Sequence, residues 1–468
     1  MNAFNHDAVF PLAPDVPATL DSSRARAATA VAVLAGTCYA LSPLTLALGS
    51  VIAALIWWAC RGLSGRERRW TMTLLIGSLL VRGAAIGAIA LTADPWRASF
   101  RTFYGDGQYA LERSMWLRNA LLGTPMSLLD LAEAFHTYAR SIYYYPLAWL
   151  QVLFGPAPYA LHLTSVVGYF AAAIALYRLV RSSYGHAAAF AGLSLVLCVP
   201  TLLLWSMAPL KESLYFSMSS LAVVSTARMI RARRWTSAAG ALVGAGVALA
   251  VAASLRTGGL AMALGGLVTG LLIAATMTHR RVVIAAIVGV PIAAALAVRQ
   301  PVVLDAFVHQ VRQGVATHIG YFHSAGSNYR LLDDDDFYNM SRPFDSLTGD
   351  EAVRYVGRAV RDFVLLPKPW APTTRSDVAM VPQQLIWYAL LIFSVPGFVA
   401  GLRRDALLTG LLFGTALVGA AAIALASGNV GTLIRHRDMI VPFVVWIGAL
   451  GAIVTMNRCA TLVWKEGK

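Results

Sequence analysis

The sequence predicts an all-α polytopic membrane protein with about twelve transmembrane helices and further helices lying at the membrane interface. Three observations carry this. First, 58% of the 468 residues are hydrophobic and only 13% are charged, whereas about 25% are charged in a soluble domain. Second, the apolar residues fall in blocks of roughly 17–24, the length that crosses a bilayer core as a helix. Third, backbone polar groups in lipid must be paired within their own segment, which makes helices of such blocks. Disordered and collagen-like chains are excluded, because the 38 glycines and 20 prolines show no period.

Residues 1–26 are polar, with Pro11, Pro14 and Pro17, and read as a flexible cytoplasmic tail. No charged-then-apolar segment with a cleavage site opens the chain, so no cleaved signal peptide is expected. Residues 27–468 form a single transmembrane domain. Its first block, 27–60, is too long for one span and carries Ser42-Pro43 at its centre. It is either a tight hairpin of two short helices or one long kinked helix. Further blocks cover 71–93, 157–180, 187–207, 213–230, 237–253, 260–278, 282–298, 384–400, 406–426 and 439–456. Gly240 and Gly244, and Gly266 and Gly270, are spaced for close helix packing. Arg82 is the one clear charge inside the membrane and must pair or reach water.

The 38 Lys and Arg against 23 Asp and Glu give a net charge of +15. In a soluble protein that excess suggests nucleic acid. Here it marks cytoplasmic loops, and no nucleic-acid partner is expected. Arg61, Arg66, Arg68 and Arg69, then Arg178 and Arg181, Arg228 to Arg234, Arg280 and Arg281, and Arg403 and Arg404 occupy alternate short connections. Both termini therefore face the cytoplasm. The long segments 94–145 and 299–383 lie outside, with most of the acids. The cytoplasmic loops are too short for a nucleotide-binding domain and hold no Gly-rich phosphate loop. The cysteines Cys38, Cys60, Cys198 and Cys459 show no metal-ligand spacing and no disulfide framework.

The first outer segment contains Phe103-Tyr104-Gly105-Asp106-Gly107-Gln108-Tyr109. Glycine on both sides of Asp106 presents the carboxylate openly, and Tyr104 and Tyr109 offer faces for a sugar ring. The bland alternative is a turn with interfacial aromatics. Leu128, Leu131, Phe135 and Tyr138 then line one stripe of an amphipathic interfacial helix. The stretch 142–154 dips into the membrane without crossing it.

The short outer connections hold cations that oppose the positive-inside bias: Lys211 beside Glu212, Arg256 at a turn, and Arg435-His436-Arg437. Binding of an anionic ligand accounts for them, since Arg and Lys clamps on phosphate strengthen out of water. Snorkelling to lipid phosphates is the alternative. In the second outer segment Val353, Val356, Val360 and Phe363 make an apolar stripe, with Arg354, Arg358 and Arg361 on another face. This basic helix either binds lipid phosphate or rests on anionic headgroups. Asp333 to Asp336 reads as a solvated loop rather than a cation site, and His309, His318 and His323 lack ligand spacing, so no metal site is assigned.

Many spans, an exposed acid in the first large outer segment, interfacial helices and a later basic outer segment together resemble the GT-C class of integral membrane glycosyltransferases. The ending from Asn429-Val430-Gly431-Thr432 to Arg435-His436-Arg437 is also similar to that of uncharacterised bacterial envelope-polysaccharide membrane proteins. In the class the acid usually follows the first span and is often paired with another. Here Asp106 follows the third block, and the next acid is Glu112. The resemblance implies a polyprenyl-phosphate-linked sugar as donor, an envelope glycan, lipid or protein as acceptor, and a bacterial inner membrane as location. It implies Asp106 as general base, Lys211, Arg256, Arg435 and Arg437 as stabilisers of the leaving phosphate, and Glu212 as a group that orients Lys211 or helps bind a divalent metal. A divalent cation, Mg or Mn, would share the task. A polysaccharide polymerase or ligase using the same donors, a lipid-linked sugar flippase or transporter, and a scaffold are the alternative functions.

Overall fold

The computed structural model describes residues 22–92, 105–136, 141–277, 304–305, 307–314, 348–372, 375–427 and 430–466, with positions 289 and 300. All regular structure among them is α-helical. The block 282–298 apart from position 289, Tyr104, Tyr138, His318, His323 and the run Asp333 to Asp336 lie outside the described residues.

The first block divides at Ser42 into α1 (Ser22–Leu41) and α2 (Pro43–Cys60). Ser42 is extended, its side chain accepts from the Leu44 amide, and Pro43 takes the first helical position, where its missing N–H is harmless. Among the described residues, which leave out nearly all of the block 282–298, eight helices are long and apolar enough to cross a membrane. These are α2, α3 (Gly65–Thr92), α7 (Pro158–Tyr184), α11 (Trp235–Leu255), α12 (Gly259–Thr276), α14 (Arg375–Arg404), α15 (Ala406–Ala426) and α17 (Val441–Glu466). The sequence predicted about twelve.

Part of the difference is a broken span. The block 187–207 forms α8 (His186–Cys198) and α9 (Pro200–Met207), bent by 62°. Counted as one span, the pair raises eight to nine. Another part is α10 (Lys211–Arg231), which is long but serine-rich. It packs between α7 and α11 and buries Ser213, Ser217, Ser219, Ser220 and Ser225. A helix sheathed by protein has no need of an apolar surface all round.

Pro200 explains the break, and Tyr169 and Arg82 satisfy the carbonyls it frees. Pro200 has no amide to give the Val196 carbonyl, and the Tyr169 hydroxyl donates to it instead at 2.6 Å. Arg82 donates to the Leu197 carbonyl at 3.2 Å, to Ser206 Oγ at 2.8 Å and to the Ser78 carbonyl and hydroxyl. Its guanidinium also lies 5.4 Å from the Phe170 ring centre. The intramembrane charge is thus wrapped in acceptors and aromatic faces rather than lining a path.

The close approach expected at Gly266 and Gly270 is present. A Cβ on Gly270 would come within 2.6 Å of the Gly410 carbonyl oxygen and Leu411 Cα, so α12 and α15 touch backbone to backbone. Gly240 faces open space, and Gly244 only meets Ser225. Lipid-facing surfaces remain apolar, as at Leu80, Val243 and Leu272.

Short helices gather at one end of the bundle. They are α4 (Gly105–Leu121), α5 (Leu128–Phe135), α6 (Tyr144–Phe154), α13 (Gly349–Leu365) and α16 (Val430–Arg437). At 11 residues α6 is too short to cross. In α5, Leu128, Leu129 and Phe135 are exposed, and Arg113 donates to the closing carbonyls of Ala134 and His136. The other end carries arginines that cap helices. Arg178 donates to the Trp58 carbonyl at 2.6 Å and Arg404 to that of Tyr184 at 2.7 Å, in the last turns of α2 and α7.

The face of α13 differs from expectation. Of the expected stripe Phe363 is buried and Val356 partly so, but Val353 and Val360 are exposed, and Ala352, Tyr355, Arg358, Ala359 and Asp362 are buried instead. Arg358 and Asp362 neutralise each other at 3.3 Å, which permits burial of both. Val353 and Val360 are left to face lipid.

Candidate functional site

Four distant stretches meet where the short helices gather. The first is the start of α4. Gly105-Asp106-Gly107, expected as a turn, forms its first helical turn instead. An acid there is favoured by the positive end of the helix dipole. The second is the start of α10, with Lys211 and Glu212. The third is the turn between α11 and α12, with Arg256. Gly258 makes that turn at φ 76°. Ser141 Oγ donates to the Leu255 carbonyl at 3.0 Å and the Ile142 amide to that of Ser254 at 3.3 Å, which ties the turn to the stretch preceding α6. The fourth is α16.

Arg435 is the hub. Its Nε and Nη2 donate to Glu212 Oε1 at 2.8 and 2.7 Å, and its Nη1 donates to Asp106. Its guanidinium stacks 5.5 Å from the ring centre of Trp205, whose carbonyl accepts from Ser213 at 3.1 Å. The Asp106 side chain is 63% exposed and that of Glu212 only 6%. The open carboxylate is therefore available to an incoming molecule, and the closed one anchors the arginine. Burial alone would lower the Arg435 pKa. The charges of Glu212 and Asp106 outweigh it and raise the group above the ordinary arginine value.

Lys211 is half-buried and feels the charges of Glu212, Arg256, Arg435 and Asp106. Among the described residues no group accepts a hydrogen bond from its ammonium. Arg256 reaches Met439 Sδ at 3.1 Å. The cluster thus gathers three cations, Lys211, Arg256 and Arg435, around two acids, Asp106 and Glu212.

His436 is buried in the same place. Burial, then the neighbouring charges of Arg256, Arg435 and Lys211, hold its pKa well below the usual value, so the ring is neutral and adds no charge toward an anion. Tyr109 sits at the flank, edge-on to Tyr144 at 6.2 Å, and its hydroxyl accepts from Arg113 at 3.3 Å.

Three sequence-predicted residues do not join the cluster. Arg437 is two positions from Arg435, about 200° round the helix. Its side chain therefore turns into the protein, donating to the Phe363 and Leu366 carbonyls at 3.1 and 2.9 Å and to Gln384 Oε1 at 2.8 Å. There it closes the end of α13. Arg358 is engaged with Asp362, and Arg354 is on the exposed surface of α13.

Sequence reasoning missed Trp205 and Asp438. Trp205 lay inside an apolar block and read as core. Asp438 is 6% exposed, with Thr201, Trp205 and Arg437 beside its carboxyl. Burial pushes its pKa up to about 7, against the opposing pull of Thr201, Arg437 and Trp205.

Among the described residues no three His, Cys, Asp or Glu side chains converge. The two carboxylates that do meet share a guanidinium, with two further cations beside them.

Fold and cluster together define a polytopic α-helical membrane protein with an ionic site at one end of its bundle. The chain matches no protein-family model, no curated protein and no solved structure.

Proposed function

We propose that the protein is a membrane glycosyltransferase that moves a sugar from a polyprenyl-phosphate donor to an envelope glycan, lipid or protein acceptor on the extracytoplasmic face. The observation that carries this reading is Arg435 held between an exposed Asp106 and a buried Glu212, with Lys211 and Arg256 adjoining. One open carboxylate beside an excess of cations is the composition that base-assisted displacement of a phosphate requires.

In this mechanism the donor phosphate draws Arg435 away from Asp106, and Lys211 and Arg256 add to its charge stabilisation. Asp106 then takes the proton of the acceptor hydroxyl. The acceptor oxygen bonds to the anomeric carbon through an oxocarbenium-like transition state, as in glycoside cleavage. The bond from that carbon to the phosphate oxygen breaks, and its electron pair leaves with the lipid phosphate. A single displacement inverts the anomeric carbon. The satisfied, enclosed surroundings of Arg82 favour this over ion-coupled transport, which needs ionisable groups along a path.

The test is release of lipid phosphate by the purified protein from a panel of polyprenyl-phosphate sugars, with monosaccharide and oligosaccharide donors in separate arms. Release lost in Asp106→Asn is the expected result. Headgroup translocation without bond cleavage, or full release by Asp106→Asn, would overturn the reading. Release from oligosaccharide donors alone would make the protein a polymerase or ligase.

A further inference from the structure

A second site lies at the end of the bundle opposite Asp106. Between the starts of α3 and α8 lies an open cavity of about 580 Å³, lined by Arg66, Glu67, Trp70, His186 and Phe190 among others. That is the size of a ligand pocket. Its wall is mostly apolar, and its polar groups gather at one edge.

The charge at that edge is positive. Glu67 is spent: Arg181 donates to its two oxygens at 2.5 and 2.8 Å, and Tyr177 approaches it at 3.4 Å. Arg66 is exposed and unconsumed by that pair, and His186 adds an imidazole. His186 opens α8, which starts without a side-chain cap. Behind these groups Trp70, 58% exposed, and Phe190 offer apolar faces. An arginine and an imidazole at the rim of an apolar notch, between two helices whose flanks face lipid, match one ligand chemistry: a phosphate carried on hydrocarbon.

The geometry points to this cavity as a binding site for one anionic glycerophospholipid, its phosphate at Arg66 and His186 and an acyl chain along Trp70 and Phe190. The site is independent of the proposed transferase chemistry.

Native mass spectrometry of the full chain in detergent tests it, with phosphatidylglycerol, phosphatidylcholine or inorganic phosphate added in separate arms. One phosphatidylglycerol should stay bound per chain, with phosphatidylcholine about tenfold weaker and inorganic phosphate not retained. Arg66→Gln with His186→Ala should weaken phosphatidylglycerol about tenfold. Equal retention of phosphatidylcholine, undiminished binding by the double variant, or retention of inorganic phosphate at this site would overturn the proposal. A photoreactive phosphatidylglycerol on the unaltered protein gives a reading that needs no variant. Labelling within residues 64–70 or 186–190 is expected, and labelling only elsewhere refutes it.

Discussion

Arg435 spends two of its nitrogens on a single oxygen of Glu212, at 2.8 and 2.7 Å, and leaves the other oxygen without a hydrogen bond among the described residues. The two groups come from helices 223 residues apart in the chain. Both are shielded from water, so each is the condition for burying the other.

The two acids around Arg435 should therefore separate by experiment. Glu212→Gln strands a buried guanidinium and is expected to destabilise the protein by about 3 kcal/mol, read as a lower thermal midpoint in detergent. Asp106→Asn alters an exposed partner and should change stability by less than about 1 kcal/mol while abolishing lipid-phosphate release. A midpoint unmoved by Glu212→Gln would show that the arginine has another anchor.

Tyr169 stands in for the amide that Pro200 lacks. Tyr169→Phe leaves the Val196 carbonyl without a donor in a buried place and should cost about 1–3 kcal/mol. Pro200→Ala restores the helical donor. In that background Tyr169→Phe should cost clearly less, and the bend between α8 and α9 should relax. Additive effects in the double-mutant cycle would disprove the substitution of one donor by the other.

The glycines make a second pair of opposites. Gly270→Ala puts a methyl against the backbone of Gly410 and Leu411, and should destabilise by about 1–3 kcal/mol as α12 and α15 are pushed apart. Gly240→Ala meets nothing and lies within a helix, so it should be neutral or stabilising by up to about 1 kcal/mol. Thermal midpoints of the two variants should move in different directions.

Features written in local sequence were the legible ones. Ser42-Pro43 marked a helix boundary because capping and a missing amide act within a turn. Gly266 and Gly270 marked a close contact because only glycine permits it. Lys211, Arg256 and Arg435 were legible as cations opposing the expected positive-inside bias, and Glu212 as the acid beside one of them. Which of them point inward was not. Arg437 and Arg435 look alike in sequence, and a rotation of about 200° about one short helix sends one to the site and the other to α13. The burial of Arg358 depends on Asp362 and on the packing of α15, and the role of Trp205 depends on where the 62° bend falls. Those are properties of the assembled bundle.

Asp438 gives a pH prediction whose sign is fixed by burial. Its carboxyl is raised from 3.8 to about 7 in the folded protein. Between those values the folded state holds a proton that the unfolded state has lost. Stability therefore falls as pH rises through this window, by at most about 1.4 kcal/mol per unit, and levels off above it. Lowering the pH from about 8 to about 5 should raise the thermal midpoint through this group. Asp438→Asn keeps the shape and removes the ionisation, so this part of the slope should vanish and the variant should be the more stable protein at pH 8. An unchanged slope in Asp438→Asn would mean that the carboxylate stays ionised in the fold, held by Thr201, Trp205 and Arg437.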